Sequence, residues 1–137
     1  MTTTGTAPSL VIGLGCRRGC SAQELLALIE DSLSQAGIAL SAIRGLASID
    51  LKRHESGLLQ LATRLNLELE VFSAAQMAEF APLLSHRSAI ALTQTGCSGI
   101  AESAALALAA HLSGATAKLL ITRKKSSVAT FALACAG

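Results

Sequence analysis

The sequence contains no tryptophan, no tyrosine and only three phenylalanines. Without aromatic rings it lacks the stacking platforms on which a single-strand nucleic-acid binder depends. Charge of either sign is also sparse. The formal net charge is only +2, too little to coat a nucleic acid or an anionic membrane. Mean hydropathy is high at +0.53, yet no long apolar run accompanies it. The two longest stretches free of Asp, Glu, Lys and Arg, Ser88–Ala101 and Ser103–Ala117, are interrupted by Gly, Ser, Thr, Gln or His. Neither supplies the roughly 18 apolar residues that a spanning helix needs. Met1–Pro8 has neither a basic nor an apolar leader segment, so a cytoplasmic location is expected, with no membrane partner. The four cysteines, at 16, 20, 97 and 135, make no C-x2-C knuckle. No metal or cofactor is assigned, and free thiols are expected.

What the chain does have is aliphatic bulk. Hydrophobic residues make up 51%, mostly Leu, Ile, Val and Ala, so a core of helices pressed closely onto a sheet is expected. The 137 residues show no repeat and no linker, and they read as one domain.

Ser9–Gly15 is a short apolar run ending in glycine, the pattern of a buried strand. Ser21, with Glu24 three residues on, forms a capping box that starts a helix. Ala22, Leu25, Leu26, Ile29, Leu33 and Ala36 trace its apolar face, and Gly37 ends it. A helical turn at Ser41, a strand over Leu46–Leu51 and a helix over Glu55–Leu65 follow. Leu67–Phe72 alternates apolar and acidic residues, as a half-wet strand does. Ser73 and Gln76 form a second capping box. Ser85–Gln94 has the weakest pattern and is assigned as helix. An Ala-rich helix runs from Ser98 or Gly99 to Leu112, stopped by Gly114. Two strands, Lys118–Thr122 and Val128–Ala134, flank the hairpin Arg123–Ser127. This alternation predicts a three-layer α/β/α fold with a mixed, mostly parallel sheet of about five strands.

In such a sheet the loops at the C-terminal strand ends share one rim, where ligands bind. Seven of the eleven Lys and Arg residues fall in those loops: Arg17, Arg18, Lys52, Arg53, Arg123, Lys124 and Lys125. The small net charge conceals this local concentration. Candidate ligand-binding residues are Gly15, Cys16, Arg17, Arg18 and Ser21 in the first turn, and Asp50 and Lys52 in the second. Thr95, Gly96, Ser98 and Glu102 flank the start of the Ala-rich helix, and Lys124 and Lys125 occupy the hairpin. Glycines before a helix N-terminus offer unpaired N–H groups to an anion. The spacing of Gly13, Gly15 and Gly19 is G-x-G-x-x-x-G, which departs from the dinucleotide fingerprint, and no G-K-[ST] of a P-loop follows.

Each feature also has a plainer reading. The glycine turn can be a tight connection with solvated arginines, and the hairpin lysines can guard an edge against aggregation. Cys16, beside two arginines and a helix N-terminus, is expected to have a depressed pKa, which suits a nucleophile. The favoured alternative is a small structural residue, because no Cys/His pairing is legible. Asp50 suits a ligand contact, a base or a helix cap about equally. His54 fits the rim, whereas His86 and His111 look like ordinary helix residues. Glu102 in a first helical turn is favourable on electrostatic grounds alone.

Taken together, four segments resemble one family. They are Gly15-Cys16-Arg17-Arg18-Gly19, Ser48-Ile49-Asp50-Leu51-Lys52, Ile100-Ala101-Glu102-Ser103-Ala104-Ala105 and Arg123-Lys124-Lys125. The order is that of the CobE proteins of cobalamin biosynthesis, which are also similar to the C-terminal domain of CbiG. The resemblance spans Leu10 to Ala134. It implies a role at the corrin-ring stage, with a precorrin or hydrogenobyrinic-acid type macrocycle as ligand and other cobalamin-pathway enzymes as possible partners. CbiG opens a lactone on a cobalt-precorrin and releases a two-carbon fragment. The chain has no counterpart of the N-terminal portion of CbiG, so the resemblance favours binding or handover over hydrolysis. Two alternatives stay open: a precorrin hydrolase, and a nucleotide or phosphometabolite binder.

Overall fold

A computed structural model describes residues 9–96, 99–114 and 116–136. Five strands form one sheet: β1 (Ser9–Cys16), β2 (Ile43–Ile49), β3 (Leu69–Phe72), β4 (Ala117–Lys125) and β5 (Ala129–Ala136), in the order β3-β2-β1-β5-β4. β1, β2 and β3 are parallel. β5 is antiparallel to both β1 and β4, so β4 points the same way as β1. The antiparallel strand therefore sits inside the sheet, paired with β1 from Ser9↔Ala136 to Cys16↔Ala129. All four C-terminal ends of the co-directional strands meet one edge, and the turn between β4 and β5 lies on it too.

Helices cover both faces. α1 (Ala22–Ala36) begins at the Ser21/Glu24 capping box and ends at Gly37 in the left-handed region. Its buried stripe of Leu25, Ile29 and Leu33 joins Leu58 and Leu61 of α2 (Ser56–Leu65). Together they cover Ile12, Leu14, Phe131 and Leu133 of the sheet. On the other face lies α5 (Ile100–Ser113), with every residue from Ala101 to Ala109 buried. It packs on Val11, Ala47, Ile49, Ala132 and Ala134. Small residues on both sides permit this close approach, which suits a core poor in aromatics. The three-layer, mixed-sheet architecture is as the sequence pattern predicts.

Boundaries differ in informative places. β2 stops at Ile49, and Asp50–Lys52 is a 3-10 turn instead of the end of a strand. β4 runs through Arg123 to Lys125, so the hairpin turn is three residues, Ser126–Val128. Ser126 closes it: its hydroxyl accepts from Val128 N and Ala129 N, at 3.2 and 3.1 Å. Between β3 and α5 the chain forms α3 (Ala74–Met77), a 3-10 stretch at Ala78–Leu83 and α4 (Ala89–Thr95). Ser85–Ser88, expected to be helical, is irregular because its backbone is drawn onto a buried carboxylate described below. Among the described residues, no helix is long and apolar enough to cross a membrane.

Candidate functional site

On the shared edge, a cleft of about 680 Å³ opens between three elements. One wall is the end of β1 with Cys16 and Arg17, another is the hairpin from Lys125 to Thr130, and Ile100 at the head of α5 supplies the third. Its floor is Gly15. A Cβ there would stand 2.7 Å from Thr130 Oγ1 and 3.6 Å from Ile100, so a larger residue would occupy the cleft itself. The hairpin is fastened to the β1 turn by Arg17 N, which donates to Val128 O at 2.8 Å. A second cleft, of about 560 Å³, lies behind the hairpin against α1 and also includes Lys125.

Two carboxylates organise the rim. Glu55 Oε2 accepts from Gly19 N at 3.0 Å, and Glu55 Oε1 lies 3.8 Å from Lys52 Nζ. This joins the β2 exit to the glycine turn. The approach is close because Gly57 lies over Cys20 O, which would be 2.2 Å from a Cβ at 57. Glu102 is the second, only 1% exposed. Its Oε1 accepts from Ser85 N at 2.9 Å and His86 N at 3.3 Å. Its Oε2 accepts from Arg123 N at 2.9 Å and from the Ser85 hydroxyl. Burial alone would push its pKa up, but these bonds outweigh that and hold it below the ordinary glutamate value. Ser85–His86, the head of α5 and the exit of β4 are thereby fixed to one anion.

The expected residues divide accordingly. Gly15, Cys16, Arg17 and Lys125 line the main cleft together. Arg18 and Lys124 are exposed but line neither cleft. Lys124 pairs in register with Phe131 and Lys125 with Thr130, so alternation turns the two lysines to opposite faces of the sheet. Ser21 is engaged in its capping box, where its hydroxyl accepts from Glu24 N at 3.1 Å. Asp50 is half-buried at the head of its 3-10 turn, and Lys52 is paired with Glu55. Thr95 ends α4, and Gly96 follows with a φ of +79° against Ala74. Ser98 lies outside the described residues. Glu102, expected to face a ligand, is instead turned inward and saturated with donors.

Cys16 also corrects an expectation. Burial pushes its thiol up to about 12, and the neighbouring Cys20 thiol adds to the rise against a smaller opposing effect of Lys52. The adjacent arginines do not make a thiolate there. Sequence reasoning missed Glu55, Ser85, His86, Ile100, Ser126, Ser127 and Thr130. The two hairpin serines carried a signal, being small polar residues beside a basic pair. Glu55 and Ser85 carried none, since their roles arise from contacts distant in sequence.

A family model described as cobalamin synthesis G C-terminus matches residues 10–134. The chain belongs to this CobE/CbiG family. Protein CobE of Sinorhizobium sp is 38% identical over 132 residues, covering 96% of this chain and 83% of the relative. Cobalt-precorrin-5A hydrolase of Priestia megaterium is 32% identical over 87% of this chain, which spans only 30% of that relative's length. The crystal structure of CobE, a protein from the cobalamin (vitamin B12) biosynthetic pathway, superimposes with a TM-score of 0.92. The match is at 45% identity and covers 97% of this chain and 94% of that one. Cobalamin biosynthesis protein chiG from Agrobacterium tumefaciens str. C58 gives a TM-score of 0.72 at 28% identity, over 93% and 98% of the two chains. The chain is accordingly a cobalamin biosynthesis protein of the CobE/CbiG family.

Proposed function

We propose that this protein binds a corrin-ring intermediate at the rim cleft, in a carrier or accessory role within the aerobic, cytoplasmic pathway. The observation that carries this reading is the placement of Arg17 and Lys125 on two walls of one cleft floored by Gly15. A corrin polycarboxylate presents ionised acetate and propionate groups around its edge at neutral pH. Cationic walls with a glycine floor suit that edge, and Arg17 can engage a carboxylate through two parallel bonds. Other enzymes of the pathway are the natural partners for handover.

The hydrolase reading draws on the names of two curated relatives, each called cobalt-precorrin-5A hydrolase. This chain spans 30% and 20% of their lengths. The raised Cys16 thiol favours binding over a cysteine-nucleophile hydrolysis. The test is a titration of hydrogenobyrinic acid followed by its visible spectrum, with liquid chromatography of the recovered ring. Saturable binding with the ring recovered unchanged supports the carrier reading. Conversion of a lactone-bearing precorrin by the purified chain would replace it with the hydrolase reading.

A further inference from the structure

The sheet face under α5 changes character where that helix begins. On β5 this face carries Ala136, Ala134, Ala132 and Thr130, at every second position. Their partners on β1 are Ser9, Val11, Gly13 and Gly15. The three alanines are buried beneath α5, whereas Thr130 is half-buried and lines the cleft. Thr130 also pairs in register with Lys125 of β4. Gly15, Thr130 and Lys125 therefore form one row across three strands, on the cleft side of the sheet. The hydroxyl leans over the glycine, because Thr130 Oγ1 lies 2.7 Å from where a Cβ of Gly15 would stand. Among the described residues, that hydroxyl has no hydrogen-bond partner within the protein. Ser126 is the contrast, its hydroxyl being spent on the amides of Val128 and Ala129.

Solvent satisfies a hydroxyl of this kind until a ligand covers it. A ligand that offers no partner then leaves the hydroxyl unpaired, and binding is opposed. The group seated over Gly15 must therefore form a hydrogen bond. Lys125 is the next side chain in the row, with about 5 Å between the Cβ atoms of such a pair, so an anionic acceptor is favoured. One carboxylate oxygen can accept from the Thr130 hydroxyl while the other faces the Lys125 ammonium. We infer that Thr130 is a specificity-determining ligand contact that, with Lys125, holds a single carboxylate over Gly15 and leaves Arg17 for a second one. This inference rests on the proposed corrin-binding reading and adds to it an uncharged contact.

The experiment is a titration of hydrogenobyrinic acid into wild type, Thr130→Val, Thr130→Ser, Lys125→Ala and Arg17→Ala. Thr130→Val is also combined with Lys125→Ala and with Arg17→Ala, and the thermal midpoint of each protein is recorded. Valine keeps the shape and the strand preference of threonine, so the midpoint of Thr130→Val should stay near that of wild type. Its affinity should fall about tenfold, the factor that one hydrogen bond to a charged group supplies. Thr130→Ser returns the hydroxyl and should recover most of that loss. Added salt should weaken Thr130→Val as steeply as wild type, because no charge has been removed. A shared carboxylate makes the loss in Thr130→Val/Lys125→Ala clearly smaller than the product of the two single losses. The losses of Thr130→Val and Arg17→Ala should instead multiply. Three results would each overturn the inference: wild-type affinity in Thr130→Val, no recovery in Thr130→Ser, or losses that multiply in both double variants. Binding that still depends on Arg17 would sustain the corrin reading in each of those cases. Failure of wild type to bind overturns both.

Discussion

The carbonyl oxygen of Ala101 lies 1.9 Å from the position a Cβ would take on Gly13, and Ala105 N lies 2.6 Å from it. Both are backbone atoms of α5, so no side-chain rotation can make room. Glycine at 13 sets how closely α5 approaches β1, and thereby where Ile100 stands in the cleft.

Gly13→Ala should therefore lift α5 from the sheet. Overpacking of a close-packed core typically costs about 1–3 kcal/mol, and the backbone obstacle places this change at the upper end or beyond. Chemical denaturation should show a lower midpoint with an unchanged slope. Gly37→Ala, in open space but at a φ of +70°, is the contrast: it should cost only about 1 kcal/mol, from its left-handed backbone.

At Gly15 the obstacle is different. The nearest atom to a Cβ is the hydroxyl of Thr130 at 2.7 Å, the end of a side chain that can turn aside. Gly15→Ala should leave the fold nearly as stable as wild type, within about 1 kcal/mol, while narrowing the cleft. Corrin titration should show weaker binding without a matching fall in thermal stability. Equal losses of both would place Gly15 in the core instead of the site.

The hairpin lysines should separate. Lys125→Ala removes a cleft-lining cation and should weaken polycarboxylate binding by about tenfold, since about 1.4 kcal/mol corresponds to that factor. Lys124→Ala removes an exposed charge that lines neither cleft, and such charges contribute about 0–1 kcal/mol. Added salt should weaken wild type more than Lys125→Ala. Indistinguishable single variants would mean that strand register does not sort these two side chains.

That distinction shows how far the sequence could be read. The Ser21/Glu24 box, the Gly37 stop and the strand periodicities are local signals, and each marks a real element. The shared rim followed from them, because strand–helix alternation leaves few topologies. Which lysine faces the cleft depends on pairing with β5, a contact that periodicity does not encode. Ser85–Ser88 offered only weak helical spacing, and its actual course is set by Glu102, 17 positions from Ser85. Glu102 itself looked like an ordinary first-turn carboxylate until its burial and four donors were visible. Cys16 misled for the related reason that neighbours in sequence suggested a positive field, while burial governs the thiol.

Cys16 should accordingly react slowly with iodoacetamide. With its thiol at about 12, little thiolate exists near neutral pH, and alkylation should accelerate only toward strongly basic solution. Mass spectrometry of tryptic peptides would resolve Cys16 from the buried Cys20 and Cys135. Cys16→Ser should retain corrin binding. Rapid modification of Cys16 at about pH 7 would restore the nucleophile reading.

Glu102 makes the last prediction, and its sign follows from linkage. Its folded-state pKa lies below the ordinary value, so the unfolded chain takes up a proton more readily than the folded one. The carboxylate thus contributes stability that is fully present above the unfolded-state value of about 4.3. That contribution is lost as pH falls through the folded-state pKa beneath it. Glu102→Gln removes the titration while retaining one carbonyl oxygen for the amides of Ser85, His86 and Arg123. It should be less stable than wild type at about pH 7, with the gap closing as the solution is acidified below about pH 4. Glu102→Ala leaves several buried donors without an acceptor and should cost at least about 3 kcal/mol at neutral pH. Urea denaturation at neutral and acid pH measures both variants. If the gap between wild type and Glu102→Gln stayed constant across that range, the carboxylate would not be ionised against its donors. The rim would then be held by hydrogen bonding alone.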